Sequence, residues 1–214
     1  MRPATGPKDA SRCLPWDARR RTILDAARTL LVERGFQDVL LDDVARKARI
    51  SKGTVYLFFK DKEHMFAEVL ADVFDSLEER LGRIPAAGDA LENLKKVVGT
   101  FIGISDDNED LLEGVLRHKH RLHDPYREKL LGGRMMALHR YMTNRVDACI
   151  RQGVCRRMPP SRGAIFLGAL LKMDLYEKSL NTTVRPFRER VDGVMELFLW
   201  GAGPRKRLPS GVGA

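Results

Sequence analysis

Within ten positions the chain places Ser51, Lys52, Gly53, Thr54, Tyr56 and Lys60, a set of side chains suited to an anionic surface. Ser51, Thr54 and Tyr56 carry hydroxyls that reach phosphate oxygens, and Tyr56 does so from a rigid ring. Lys52 and Lys60 supply positive charge on either side, and Gly53 removes a side chain where a backbone can come close to a partner. Ser51 is also a candidate N-cap, and the free N–H groups of the turn that follows favour phosphate. There is no Gly-rich phosphate loop, nucleophile elbow, HExxH or clustered acid–base pair in the chain. The expectation is binding rather than catalysis, with no catalytic residue, no cofactor and no metal.

Three further groups invite chemistry. His118, His120 and His123 are close in sequence, but at 100° per residue positions 118 and 120 face opposite sides of a helix, so a metal site is not expected. Cys13, Cys149 and Cys155 are odd in number and form no CxxC pair, which excludes a zinc ribbon and argues against a disulfide framework. Cys149 and Cys155 read either as oxidant sensors or as ordinary buried thiols. Met135, Met136, His139 and Met142 follow one helical stretch, with Met173 and Tyr176 later; such a stripe is either core or the wall of an adaptable apolar pocket.

The elements that position these residues read as helices throughout. Residues 1–15, with three prolines and a glycine, form an arm without periodicity. From Trp16 an apolar stripe of Ile23, Ala27, Leu30 and Leu31 lies opposite Arg20, Arg21 and Arg28, and Gly35 is expected to end that helix. Leu41–Ala48 fits a second helix. Ser51 opens a third through about Phe59, and Lys62–Leu81 makes a fourth. Gly82 and Pro85 mark a joint. Later helices are expected at 89–104, 108–122, 124–152 (started by Asp124-Pro125, stopped by Gly153, with Gly132-Gly133 able to bend it), 161–180 and 186–200. The fold class is therefore all-α with about nine helices.

The chain has 38 Lys and Arg against 29 Asp and Glu, a net charge of +9. Residues 1–60 hold 13 of the bases and 7 of the acids, so +6 of that excess lies in the first quarter. A polyanionic partner is implied. Arg19-Arg20-Arg21 is a solvated helix start in the simple reading, yet cations there oppose the helix dipole, a mismatch a phosphate would resolve. No apolar run approaches the roughly 20 residues a bilayer-spanning helix needs, and Pro and Gly occupy the N-terminus where a signal peptide needs apolar residues. A cytoplasmic protein without a membrane partner is expected. Ala164–Leu171 and Val194–Leu199 are the most apolar late segments, and one or both should be covered by a second subunit.

Two short helices joined by a tight turn beneath a longer one are the helix-turn-helix arrangement. Gly35-Phe36, Asp43-Val44-Ala45, Ser51-Lys52-Gly53-Thr54-Val55-Tyr56 and Phe59-Lys60-x-Lys62-Glu63, at their spacing over residues 18–65, resemble the DNA-binding domain of TetR/AcrR-type transcriptional regulators. The resemblance implies a homodimer that lays each third helix into the major groove of a pseudo-palindromic operator on double-stranded DNA. It divides the chain into an arm (1–15), a helix-turn-helix domain (16–62), a ligand-binding and dimerisation domain (63–203) and a tail (204–214), the tail bearing Arg205-Lys206-Arg207. Ser51, Lys52, Gly53, Thr54, Tyr56, Leu57 and Lys60 would meet DNA, Tyr56 and Lys60 as phosphate clamps and Lys52, Thr54 and Leu57 towards the bases. Phe36, Val44, Ala45, Val55 and Phe59 would be core. A largely apolar small-molecule effector would sit among Phe101, Met135, His139, Met142, Met173 and Tyr176 and release the repressor.

This sequence departs from the family pattern in three places. Val39-Leu40 stands where capping hydroxyls are usual, at a cost of about 1 kcal/mol, which Asp42 and Asp43 in the first turn offset in part. Arg49 stands where Gly is usual; a side chain in the left-handed region costs roughly 1–2 kcal/mol, and in exchange a cation joins the DNA-binding set. Leu57-Phe58 replaces a more polar pair, and Leu57 can read only a thymine methyl. The competing readings are a sequence-indifferent DNA-binding protein, against which the early concentration of charge argues, and a helical enzyme without a recognisable motif. A membrane-surface protein has only Trp16 beside Arg19–Arg21 in its favour.

Overall fold

The computed structural model describes residues 15–112, 132–180 and 185–203. The arm, the three histidines of the metal reading, Asp124-Pro125 and the basic tail lie outside them. The described residues are helical and contain no strand: α1 (Trp16–Asp38), α2 (Leu41–Ala48), α3 (Lys52–Phe58), α4 (Lys62–Gly82), α5 (Ala90–Asp107), α6 (Gly133–Arg151), α7 (Pro160–Leu180) and α8 (Phe187–Ala202), with residues 109–112 helical as well. Among them no helix is long and apolar enough to cross a membrane. The chain divides into two compact units, Met1–Val73 with Asn108–Gly132, and Phe74–Asp107 with Gly133–Ala214.

In the first unit, α1 buries Ile23, Leu24, Ala27, Leu30 and Leu31 along the expected stripe. Gly35 breaks the helical geometry at φ 75°, but one further turn carries Phe36 into the core, where its ring lies 5.0 Å from that of Phe66. The first helical stretch is therefore broken at Gly35, as the sequence suggests, and a short second stretch follows the kink. Arg20 pairs with Glu68 of α4, so part of the charge mismatch at the start of α1 is resolved inside the protein. Trp16 rests on the Phe58 ring, centroids 4.1 Å apart. That contact accounts for an aromatic residue at position 58 and for a tryptophan at the head of α1.

The end of α2 is a Schellman closure. The N–H of Arg49 donates to Arg46 O at 3.2 Å and that of Ile50 to Ala45 O at 3.0 Å, with Arg49 at φ 55° and ψ 39°. Among the described residues Arg49 alone, glycines aside, has a positive φ. The start of α2 has no side-chain cap at Leu40, and Asp42 and Asp43 fill its first turn, as the sequence suggests.

The second unit packs α5, α6, α7 and α8 around one apolar cluster. Ala90, Leu94, Val98 and Ile102 recur at every fourth position of α5, with Met142, Val146 and Cys149 from α6, Ala164, Leu167 and Leu170 from α7, and Val194, Met195, Phe198 and Ala202 from α8. Gly163 permits the close approach of α7 to α6: a Cβ there would meet Val146 Cγ1 at 2.7 Å.

One helical turn beyond these rows the apolar pattern gives way to ions. Asp106 follows Ile102, Asp174 follows Leu170, and Arg190 precedes Val194, all on the core-facing side. Arg190 donates to both Asp174 oxygens (3.0 and 2.7 Å) and both Asp106 oxygens (2.8 and 3.0 Å), while Lys178 Nζ reaches Asp106 at 2.9 Å. The Arg190 and Asp174 side chains are only 5% and 7% exposed. Burial pushes the Asp106 carboxyl up, but hydrogen bonds from Arg190 and Lys178 outweigh it and hold it below the usual carboxylate range. A depressed pKa contributes stability that is present above the unfolded-state value and lost as pH falls through the folded-state one. The network is therefore intact at neutral pH and weakens only in acid.

Removing one partner of such a pair strands the other in a poorly solvated place, whereas replacing both by apolar residues often costs little. Arg190→Met should cost about 3 kcal/mol in urea unfolding, and adding Asp174→Leu should recover most of the loss; an Arg190→Met midpoint equal to the parent's would show that the network contributes nothing. Arg49→Gly should raise stability by about 1 kcal/mol in the same assay, because it relieves the left-handed strain.

Candidate nucleic-acid interface

α3 is held from beneath and at both ends. Val55 and Phe59 are fully buried, and Ser51 caps the start: its Oγ accepts from the Thr54 N–H at 3.3 Å and lies 2.8 Å from Thr54 Oγ1. After Phe59 the chain is fixed by Asp61, whose carboxylate accepts from the His64 N–H at 2.7 Å, and by His64, whose Nδ1 accepts from the Lys60 N–H at 3.4 Å. The His64 ring stands edge-on to Phe59, centroids 5.7 Å apart. Lys60 is thus exposed on a restrained backbone.

Lys62, two positions on, has a different task. Its ammonium donates to Phe36 O (3.3 Å) and Gln37 O (3.1 Å) and sits 4.8 Å from the Phe36 ring centroid. It satisfies carbonyls at the end of α1, a role cations suit at a helix C-terminus.

With Val55 and Phe59 inward, the opposite side of α3 carries Lys52, Gly53, Tyr56 and Leu57, all exposed, followed by Lys60. Leu57 is 73% exposed, a high value for leucine, whereas Phe58 turns towards Trp16 and is half-buried. The Leu57-Phe58 pair therefore splits, one residue facing out and one facing the fold. Thr54 is half-buried and engaged with Ser51, while Ser51 and Arg49 lie exposed just before the helix. Lys52 Nζ pairs with Asp42 at 2.5 Å. Gly53 has a negative φ and no atom within 4 Å of where a Cβ would stand, so neither backbone strain nor crowding within the fold demands a glycine there.

The residues expected to line an effector pocket lie in the second unit but in unlike surroundings. Met142 is buried in the core, Phe101 and His139 are half-buried, and Met135, Met173 and Tyr176 are exposed. A cavity of about 300 Å³ in that unit is lined instead by Ala86, Ala87, Gly88, Ala90, Asn93, Arg145, Ala148, Arg151 and Gln152. Among the described residues no cluster of His, Cys, Asp and Glu is placed to hold a metal. The ionic network of Asp106, Asp174, Lys178 and Arg190 was missed from sequence, although its signal was present: charged residues that continue apolar rows at helical spacing.

Residues 23–69 match the family model for bacterial regulatory proteins of the tetR family. The chain is similar to the HTH-type transcriptional regulator HbdR of Aromatoleum sp. (strain CIB), 26% identical over 141 residues that make up 65% of this chain and 61% of that one. The chain spans about half the length of the curated relatives it matches. The fold resembles that of the fatty acid degradation regulator FadR from Bacillus halodurans, with a TM-score of 0.71 at 16% identity over 92% of this chain and 97% of that one. It also resembles AibR, solved in complex with isovaleryl coenzyme A and operator DNA, with a TM-score of 0.67 at 20% identity over 84% and 97% of the two chains. The match to the tetR family of bacterial regulatory proteins therefore lies in residues 23–69, the stretch that holds the capped and outward-facing α3.

Proposed function

We propose that the chain is a DNA-binding transcriptional regulator, a repressor that grips a pseudo-palindromic operator as a homodimer and lets go when a small, largely apolar effector binds. The observation that carries this reading is the outer face of α3, where an exposed leucine, an exposed tyrosine, a glycine not required by the fold and two lysines share a surface. Tyr56 and Lys60 clamp phosphates, Ser51 and Arg49 approach the backbone beside them, and Lys52, Thr54 and Leu57 face the bases, with Gly53 letting the duplex come close. Lys52 exchanges Asp42 for DNA on binding, an ion-pair swap that costs little at an exposed site. Residues 16–62 act as the DNA-binding domain and residues 63–203 as the effector and dimerisation domain.

Dimerisation is supported by apolar residues left uncovered in the second unit. Ile165 and Phe166 of α7 and Leu197 and Trp200 of α8 are exposed, Trp200 at 84%. Side chains of that kind are commonly covered by a second subunit. In the same unit, Phe101, Met135, His139, Met142, Met173 and Tyr176 supply the wall for an effector. AibR, whose structure holds a coenzyme A thioester and operator DNA together, supports a coupling of the two kinds of ligand. Such coupling is reciprocal: an effector that weakens operator binding is itself bound less well by the operator complex.

Two experiments test this. Tyr56→Phe and Lys60→Ala should weaken binding to every duplex sequence alike in gel-shift titrations, and Lys60→Ala should reduce the slope of log K against log salt by about 1. Genomic footprinting that finds no duplex site above background would remove the assignment. In sedimentation the parent should run as a dimer and the double variant Ile165→Glu/Trp200→Glu as a helical monomer with much weaker operator binding; a double variant that stays dimeric places the interface elsewhere.

A further inference from the structure

Cys149 and Cys155 lie in the second unit and take no part in the proposed function. α6 ends in a Schellman closure, with Gly153 at φ 75°, its N–H donating to Ile150 O at 3.1 Å and the Val154 N–H donating to Cys149 O at 2.9 Å. The closure folds the chain back so that the Cys155 N–H donates to the same Cys149 carbonyl at 3.1 Å. Both side chains enter the same apolar cluster, 0% and 3% exposed, and each thiol shifts the titration of the other.

Each thiol has one proton to give. The Cys149 S–H has Ala90 O as an acceptor at 3.5 Å, and a deprotonated Cys155 sulfur offers it a better one. Hydrogen bonding from Cys149 holds the Cys155 thiol below the ordinary range despite its burial. Cys149 is pushed well above that range by Cys155 first, then by burial, with the Asp89 charge adding to both. The hydrogen bond to Ala90 O keeps the proton on Cys149, which leaves Cys155 as the nucleophile and Cys149 as the proton-bearing partner.

We infer that Cys149 and Cys155 form a peroxide-responsive dithiol that closes to an intramolecular disulfide. The Cys155 thiolate attacks one oxygen of hydrogen peroxide, the O–O bond breaks, and the departing hydroxide takes up a proton and leaves as water. Cys155 is then a sulfenic acid. The Cys149 sulfur attacks the Cys155 sulfur and gives up its proton, the S–O bond breaks, and a second water leaves. Two thiols are oxidised by two electrons and one peroxide is reduced to two waters. Peroxide is barely larger than water, and the 300 Å³ cavity shares with the thiol pair the Ala90 residue that accepts from Cys149.

The test uses the full chain bearing Cys13→Ser, so that these two thiols alone report. After hydrogen peroxide treatment of the folded protein, alkylation should find both thiols lost and the intact mass two hydrogens lower. Trypsin should release Val146–Arg151 joined to Gln152–Arg156, separable by dithiothreitol. Adding Cys149→Ser should leave Cys155 as a sulfenic acid that dimedone traps, and adding Cys155→Ser should leave Cys149 unreacted. The proposal is overturned if both thiols of the Cys13→Ser chain stay alkylatable after peroxide, or if they oxidise without becoming joined. That chain alone decides the matter should either serine variant fold poorly.

Discussion

A helix of seven residues has no stability of its own in water, because nucleating a helix costs more than so few hydrogen bonds return. α3 is such a helix, and whatever its outer face does depends on burying Val55 and Phe59 against the rest of the first unit. The other restraints follow from that need. Ser51 satisfies a free N–H at one end, the Asp61–His64 arrangement steadies the chain at the other, and Lys62 ties the exit to the last carbonyls of α1. With the inner face so held, Tyr56 and Leu57 have only one direction left to them, and it is outward.

Two Schellman closures with the same hydrogen-bond pattern end α2 and α6, and they are solved differently. Gly153 takes the left-handed position without strain, while Arg49 takes it with a side chain attached. Strain of this size persists where something else favours the residue that bears it. At Arg49 that something is a cation presented just before α3; at Gly153 the reward is the tight reversal that lays Cys155 over Cys149. The local geometry is common to both sites, and the chemistry it serves differs with the residue chosen.

Much of this organisation was legible in the chain. Helical periodicity located α2 to the residue and α3, α4, α5, α7 and α8 to within a few positions, since each buries one face and its apolar spacing says which. Ser51 as a cap and Arg49 as a left-handed residue could be read because both properties are local. Less local features escaped. Phe58 parting from Leu57 depends on Trp16, more than forty positions earlier, and the task of Lys62 depends on carbonyls at 36 and 37. The four-membered ionic network joins α5, α7 and α8, so no single stretch of sequence displays it.

What the sequence determined by itself was therefore the all-helical class, the position of the short helix α3 and which of its residues are anchors. Backbone propensity, capping and apolar spacing act over a few residues, and they are written wherever those residues are. Pairings were decided only in three dimensions: Arg190 with two aspartates, Lys52 with Asp42, one thiol with the other. A side chain's partner is set by which helices pack together, and that depends on the free energy of the whole core rather than on any neighbouring residue.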